Sequence, residues 1–387
     1  MDYSAHFLRI FEPNNQNNRL MKYNWQQKDW PDFSYDLQTV EDTLFAFAEA
    51  TGHITGVLKA MPEDRQMEAI ISTMVAEAVK TSAIEGEFIS RQDVVSSIRN
   101  KMGLNKKPDT VKDKRALGAG ELMVDVRNTY AEKLTQSKLF EWHKMLLKQS
   151  KGINAGAWRK GTSPMQVVSG TIGKEKIHFE APPSSSVSRE MKRFIQWFND
   201  TAPGGKKEIK KAPVRSAVAH LYFESIHPFE DGNGRIGRAI AEKALSQTIG
   251  RPVLLSLSRT IEANKSTYYA ALEAAQRSNK ITDWIAYFIA TALDAQRQAS
   301  QLIEFTLQKT IFFDRFRDAL NERQLKAIRK MLDAGPEGFE GGMTAKKYMS
   351  ITKASKPTAT RDLQALVEIG ALINEGGGRS THYILAL

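Results

Sequence analysis

Twelve consecutive residues, His227-Pro228-Phe229-Glu230-Asp231-Gly232-Asn233-Gly234-Arg235-Ile236-Gly237-Arg238, constrain this chain more than any other stretch. They gather an imidazole, a carboxylate at Asp231, the flexible Gly232 and Gly234, an amide and two guanidiniums. The glycines permit a tight turn that brings backbone N–H groups close to an anion. After them Ile236, Ala239, Ile240 and Ala244 recur at helical spacing, so the turn opens a helix. Such a turn is a phosphate cradle, because unpaired N–H groups and the positive dipole end converge there. On that helix Arg235 and Arg238 stand three apart, share a face and can grip successive phosphates bidentately. Asp231 is a hard oxygen ligand suited to a magnesium ion bridging those phosphates. His227 is the group that takes a proton near neutral pH. Taken singly, a G-N-G turn is usually only a turn, and a histidine near an apolar run is usually a packed core residue. The functional reading rests on their joint order.

That order, H-x-F-x-D-G-N-G-R-x-x-R, resembles the signature of Fic-domain proteins position for position. The resemblance implies a mainly α fold, with a Fic-type helical core and a β-hairpin flap. It implies a protein adenylyltransferase that moves AMP from ATP to a Ser, Thr or Tyr hydroxyl of a target protein, and of the chain itself. In that scheme His227 is the catalytic base and ATP sits on Gly232, Asn233 and Gly234. Asp231 holds Mg2+, Asn233 and Arg235 orient the α- and β-phosphates, and Arg238 receives the γ-phosphate. Phe229 reads as an internal anchor for the loop.

A second stretch, Thr81-Ser82-Ala83-Ile84-Glu85-Gly86, resembles the [S/T]-x-x-x-E-[G/N] inhibitory motif of some Fic proteins, here on a helix N-terminal to the core. Thr81, Glu85 and Gly86 are therefore expected to be inhibitory. A Glu85 carboxylate that bonds Arg238 removes that guanidinium from the γ-phosphate. The nucleotide's α-phosphate would then be misplaced for attack, and small misplacements are costly in catalysis. On its own, a Glu near a helix end is ordinarily a solvated charge. The same carboxylate could instead orient a water that hydrolyses AMP from a modified protein, and the sequence does not separate these roles.

The 387 residues contain no cysteine, which excludes disulfides and thiolate metal sites. The seven histidines show no ligand spacing. No apolar run approaches the roughly 20 residues of a membrane span, and Met1–Leu8 lack the pattern of a signal peptide, so a cytoplasmic location is expected. The net charge of +11 suits an anionic ligand such as ATP or nucleic acid. Residues 1–19 are polar and irregular, and Met21 is an alternative start. The tryptophans of the segment that follows, Trp25 and Trp30, are expected to pin it onto the body.

Four regions are expected. Residues 1–105 form an N-terminal helical domain carrying the inhibitory motif, with helical stripes from Leu37 to about Asn100. Residues 106–300 form the Fic core, 301–318 a linker helix and 319–387 a C-terminal module. Within the core, β-prone runs at Val167-Val168 and Ile177-His178-Phe179 flank Ser169-Gly170-Thr171-Ile172-Gly173 and read as a hairpin. By resemblance this is the flap, near Val167–Phe179, that clamps a target segment by strand addition; the alternative is a structural surface hairpin. Tyr268 and Gln276 resemble residues on the Fic helix that lines the nucleobase end of the pocket, although a helical Tyr is often core packing. The C-terminal module has three helical runs and two β-prone runs joined by Gly376-Gly377-Gly378-Arg379, and resembles a winged helix. Ser355, Lys356, Thr358, Thr360 and Arg361 would begin its recognition helix. Ten Lys and Arg against seven Asp and Glu from Ala319 to Leu387 give a weak charge for DNA binding. Winged helices also dock proteins or dimerise, and Fic proteins often form homodimers. A second reading is thus a winged-helix DNA-binding or interaction regulator that uses the Fic domain as a nucleotide sensor.

Overall fold

The computed structural model describes residues 22–147, 150, 152–169, 176–336 and 338–387. The alternative start at Met21 and the expected hairpin turn at 170–173 lie outside them. The chain forms two compact units: residues up to Thr51 join Ile70–Gln296, and Gly52–Ala69 join Arg297–Leu387.

The stretch 81–86, in the first unit, ends a long helix. α1 (Glu41–Ala60) and α2 (Glu63–Ile84) carry the expected apolar stripes, and both begin with acidic residues that suit the positive dipole end. α2 stops because Gly86 takes a left-handed backbone, φ 80°. α3 (Arg91–Lys101) is capped by Ser90, whose hydroxyl accepts from Asp93 N–H, and α4 (Lys114–Asn128) by Asp113. These two helices pack on each other. The expected boundary at 105/106 therefore falls inside a packed pair. The polar connector there is a short braced turn, in which Asn100 Nδ2 donates to Asp109 O and Asn100 Oδ1 accepts from Asp109 N, both at 2.8 Å.

α5 (Gln136–Leu147) precedes the hairpin. β1 (Gln166–Ser169) and β2 (Lys176–Glu180) pair antiparallel, with a register shift between Val167 and Val168 that leaves His178 as the extra residue. α6 (Ser184–Asp200) leads to α7 (Ala212–Ile226), which is buried on every side. A helix apolar nearly all round belongs at the centre of a unit, and the buried charge of Arg215 on α7 is partnered. Arg215 donates to Phe198 O, Ala244 O and Gln247 Oε1. α8 (Asn233–Ile249) packs most extensively on α7. α9 (Leu257–Ala263) and α10 (Lys265–Ala275) follow. The N-terminal aromatics anchor as expected: Trp25 Nε1 donates to Glu180 O and Trp30 Nε1 to Glu190 Oε2.

α11 runs unbroken over Thr282–Phe316. The expected division into a closing helix and a separate linker helix at 301–318 is absent, because no Gly or Pro interrupts this range. In the second unit come α12 (Glu322–Leu332), α13 (Ala345–Thr352) and α14 (Lys356–Glu368), then β3 (Leu372–Glu375) paired antiparallel with β4 (His382–Leu385). Their core contains Phe312, Phe316, Ile328, Tyr348, Leu363 and Leu366. Among the described residues, no helix is long and apolar enough to cross a membrane.

Candidate active site

The geometry begins where α7 ends. His227 caps the helix in a left-handed backbone, φ 50°, and its N–H donates to Phe223 O. A non-glycine residue holds that conformation only when its surroundings impose it. Here the buried Arg159 does so, its Nε donating to His227 O at 2.7 Å and its Nη2 to Ile226 O and Pro182 O. Arg159 is thus a backbone brace. One turn back on α7, Glu224 Oε2 lies 3.6 Å from His227 Nδ1. Burial works to raise the Glu224 carboxyl, but His227, His220 and Arg238 together hold it below its ordinary value. Its other oxygen, Oε1, is buried without a hydrogen-bond partner among the described residues. Gly237 on α8 admits this carboxylate, since a Cβ there would collide with Glu224 Oε1.

The loop from Pro228 to Gly232 is braced internally. Asn233 Oδ1 accepts from Phe229 N and its Nδ2 donates to Phe229 O, both at 2.9 Å. The Asn233 side chain thus serves the loop, and what it offers an anion is its backbone N–H at the start of α8. The buried Phe229 is the expected anchor, and His143 of α5 stacks on it at 4.0 Å. His143 Nδ1 accepts from Gly156 N, which assigns the proton to Nε2 and lets that atom donate to Asp231 O at 3.1 Å. Burial lowers the His143 pKa and keeps this neutral form. Asp231 Oδ1 accepts from Gly232 N at 2.5 Å, and the side chain is 48% exposed.

At the start of α8 two arginines are met by two carboxylates from the end of α2. Arg238, 2% exposed, donates from Nε to Thr81 Oγ1 at 2.7 Å and from Nη2 to Thr81 O at 2.9 Å and Glu85 Oε1 at 2.8 Å. Burial opposes the Arg238 charge, yet the adjacent Glu85 raises its pKa above the ordinary value. The Glu85 carboxylate also sits over the first turn of α8, because a Cβ on Gly234 would collide with its Oε1. It therefore lies beside the helix start, where the glycine turn and helix dipole favour an anion. Arg235 Nη1 donates to Glu87 Oε2 at 2.6 Å, and its Nη2 lies 3.5 Å from Asp231 Oδ1.

Tyr268 and Gln276 are both buried beside α7: the Tyr268 hydroxyl meets His220 Nε2 at 2.8 Å, and Gln276 Nε2 donates to Glu224 O at 3.3 Å. The more open ring on α10 is Tyr269, 38% exposed. Burial, then the charge of Glu85, push its hydroxyl up to about 12. Lys265, at the start of the same helix, donates to Ile84 O at the end of α2 and lies 5.6 Å from the Tyr269 ring centre. Sequence reasoning missed Glu87, Glu224, Lys265, His143 and Tyr269. Two carried a signal: Glu224 precedes His227 by three on a helix, and Glu87 follows Glu85 by two. His143 and Lys265 carried none, being distant in sequence from what they hold.

These donors fit a nucleotide triphosphate, offering a helix N-terminus, two guanidiniums and a base. Magnesium binding usually needs one or two carboxylates, with phosphate and water completing the shell. The half-exposed Asp231 supplies one, and no group of three or more candidate ligands exists among the described residues. The set fits an ion that arrives with its phosphates.

Residues 133–245 match the Fic/DOC family, and residues 23–104 match a domain of unknown function, DUF4172. Protein adenylyltransferase Fic of Culex quinquefasciatus is 26% identical over 200 residues, 51% of this chain and 36% of that protein. The protein of the same name from Nematostella vectensis is 24% identical over 202 residues, 51% of this chain and 42% of that one. The chain thus spans less than half the length of these relatives. Among solved structures, a Fic family protein from Desulfovibrio desulfuricans covers 92% of this chain and 98% of its own, with 19% identity and a TM-score of 0.53. Fic-1 of Caenorhabditis elegans, residues 134–508, covers 70% and 74%, with 16% identity and a TM-score of 0.50. Both share the fold. The run from His227 to Arg238 lies within residues 133–245, and that stretch of the chain matches the Fic/DOC family.

Proposed function

We propose that this chain is an autoinhibited protein adenylyltransferase that moves AMP from ATP to a Ser, Thr or Tyr hydroxyl of a target protein, and of itself. The observation that carries the reading is the seat of the Glu85 carboxylate, on Arg238 and over the first turn of α8. A carboxylate there competes with a phosphate for the same guanidinium and N–H groups. The protein adenylyltransferases that the chain resembles, of whose length it spans less than half, supply the reaction class.

His227 accepts the proton of the target hydroxyl as its oxygen bonds the α-phosphorus of ATP. The bond from that phosphorus to the bridging oxygen breaks, and pyrophosphate carries away the electron pair. Glu224, beneath the imidazole, stabilises its protonated form. Arg235 and Arg238 neutralise phosphate charge and hold the chain of phosphates in line, so catalysis is mainly positioning and electrostatics. Asp231 would hold magnesium, which when bound supplies further charge neutralisation. A target segment would lie along the β1–β2 hairpin, where paired Val168 and Ile177 are 49% and 45% exposed. We read α12 to α14 with β3–β4 as a winged helix, whose exposed Ser355, Lys356, Thr360 and Arg361 would meet a nucleic acid or protein partner.

The test is incubation with magnesium and ATP labelled on the α-phosphate, with γ-labelled ATP in parallel. Glu85→Gly should raise α-label incorporation at least about tenfold, since one charge-assisted bond is removed from the site. His227→Ala should lower it about 100-fold or more in either background. Equal labelling of wild type and Glu85→Gly would remove the inhibitory role. Incorporation of γ-label would remove the reaction.

A further inference from the structure

We infer that Glu87 is a second gate on the nucleotide site, withholding Arg235 from the α- and β-phosphates as Glu85 withholds Arg238 from the γ-phosphate. The inference rests on the proposed nucleotide site and concerns its other arginine. The two carboxylates leave the same turn. Glu85 N and Glu87 N both donate to Ser82 O, at 3.1 and 2.9 Å, and Gly86 N donates to Ala83 O. The left-handed Gly86 between them reverses the chain, so residues two apart both face α8. Glu87 then reaches Arg235 at 2.6 Å, a shorter contact than the 2.8 Å of Glu85 to Arg238.

Arg235 is unlike a surface arginine that happens to meet a carboxylate. It is 3% exposed, and its Nε is buried without a hydrogen-bond partner among the described residues. A buried guanidinium with one idle N–H is incompletely satisfied by Glu87, whereas phosphate oxygens can take both edges of the fork. Asp231, 3.5 Å away, is the other anion in reach. Glu87 has somewhere to go when displaced: it is 28% exposed, and Arg115, held by Asp113 at 3.0 Å, already feels its charge. The gate therefore has two leaves, and removing Glu85 alone opens one.

ADP separates the leaves because it lacks the γ-phosphate that Arg238 would receive. Affinities of magnesium-ADP and magnesium-ATP are measured by calorimetry on the full chain as wild type, Glu85→Gly, Glu87→Gln and Glu87→Ala, with tryptophan-fluorescence melting to confirm folding. Both Glu87 variants should tighten ADP and ATP by the same factor, about five- to tenfold. Glu85→Gly should tighten ATP more than ADP. ADP affinity within twofold of wild type in both folded Glu87 variants would overturn the inference, as would tightening confined to ATP. α-Label transfer by Glu85→Gly is read alongside. If Glu85→Gly moves no AMP while the Glu87 variants tighten ADP, the gate stands and the transfer reading falls. If it moves AMP while they do not, the gate falls alone.

Discussion

Glu224 shows how much chemistry a single buried carboxylate can set. It lies under His227, its charge is favoured by two histidines and Arg238 against the cost of burial, and one of its oxygens has no hydrogen-bond partner among the described residues. Such a group orients an imidazole and stabilises its cation without touching substrate. Glu224→Gln keeps the shape and removes the charge. In the Glu85→Gly background it should lower the rate of AMP transfer about 10- to 100-fold and leave KM for ATP within twofold. Loss of ATP affinity instead would show that Glu224 supports the phosphate site. At this scale the His227–Arg238 run was legible as a candidate site because its groups are contiguous, and the structure keeps them together at the junction of α7 and α8. Sequence does not show that the Asn233 amide closes on Phe229 four residues earlier. Glu224 and Glu87 were not singled out because an isolated Glu on a helix or just past its end is usually solvated, and only the tertiary partner distinguishes it.

α2 is the element that would carry the proposed autoinhibition, and it is clasped at more points than its motif advertises. Glu77 accepts from Ser256 Oγ and Ser258 N, Lys80 meets Glu262 at 2.9 Å, and Lys265 donates to Ile84 O. The last contact places a cation at the negative end of the helix, the favourable arrangement for its dipole. α9 and α10 therefore hold the end of α2 that delivers Glu85. Lys265→Met keeps the apolar stem and removes the cap. It should raise α-label incorporation about two- to fivefold in otherwise wild-type protein and leave the Glu85→Gly rate unchanged. An equal change in both backgrounds would mean that Lys265 acts on the nucleotide directly. Periodicity predicted α2 and its stop at Gly86 well, since both signals are local. It failed where the signal had to be a negative one: the unbroken α11 is marked only by the absence of Gly and Pro, and the expectation of a domain end cut it.

Across the whole molecule the two units need not melt together, and the chain offers a way to watch one of them. All six tryptophans lie in the unit of α7 and α8, so their fluorescence reports that unit alone. Inside it, Glu242 of α8 shares a small buried cleft with Glu77 of α2 and Arg127 of α4. Burial, with the Glu77 carboxylate adding to it and Arg127 opposing, raises the Glu242 pKa to about 8. An ordinary glutamate in the unfolded chain titrates near ~4.3. Between these values the folded unit holds a proton that the unfolded chain has lost. Its stability is therefore fully present below about pH 4 and is lost as pH rises through about 8. Glu242→Gln carries no ionisable group, so it avoids that loss. The fluorescence-detected midpoint of the variant should lie several degrees above wild type at about pH 8.5 and within about 2 °C of it at about pH 5. A gap of equal size at both values would assign the effect to packing. A wild-type midpoint that is flat between them would mean that Glu242 ionises in the folded unit no later than it does in the open chain.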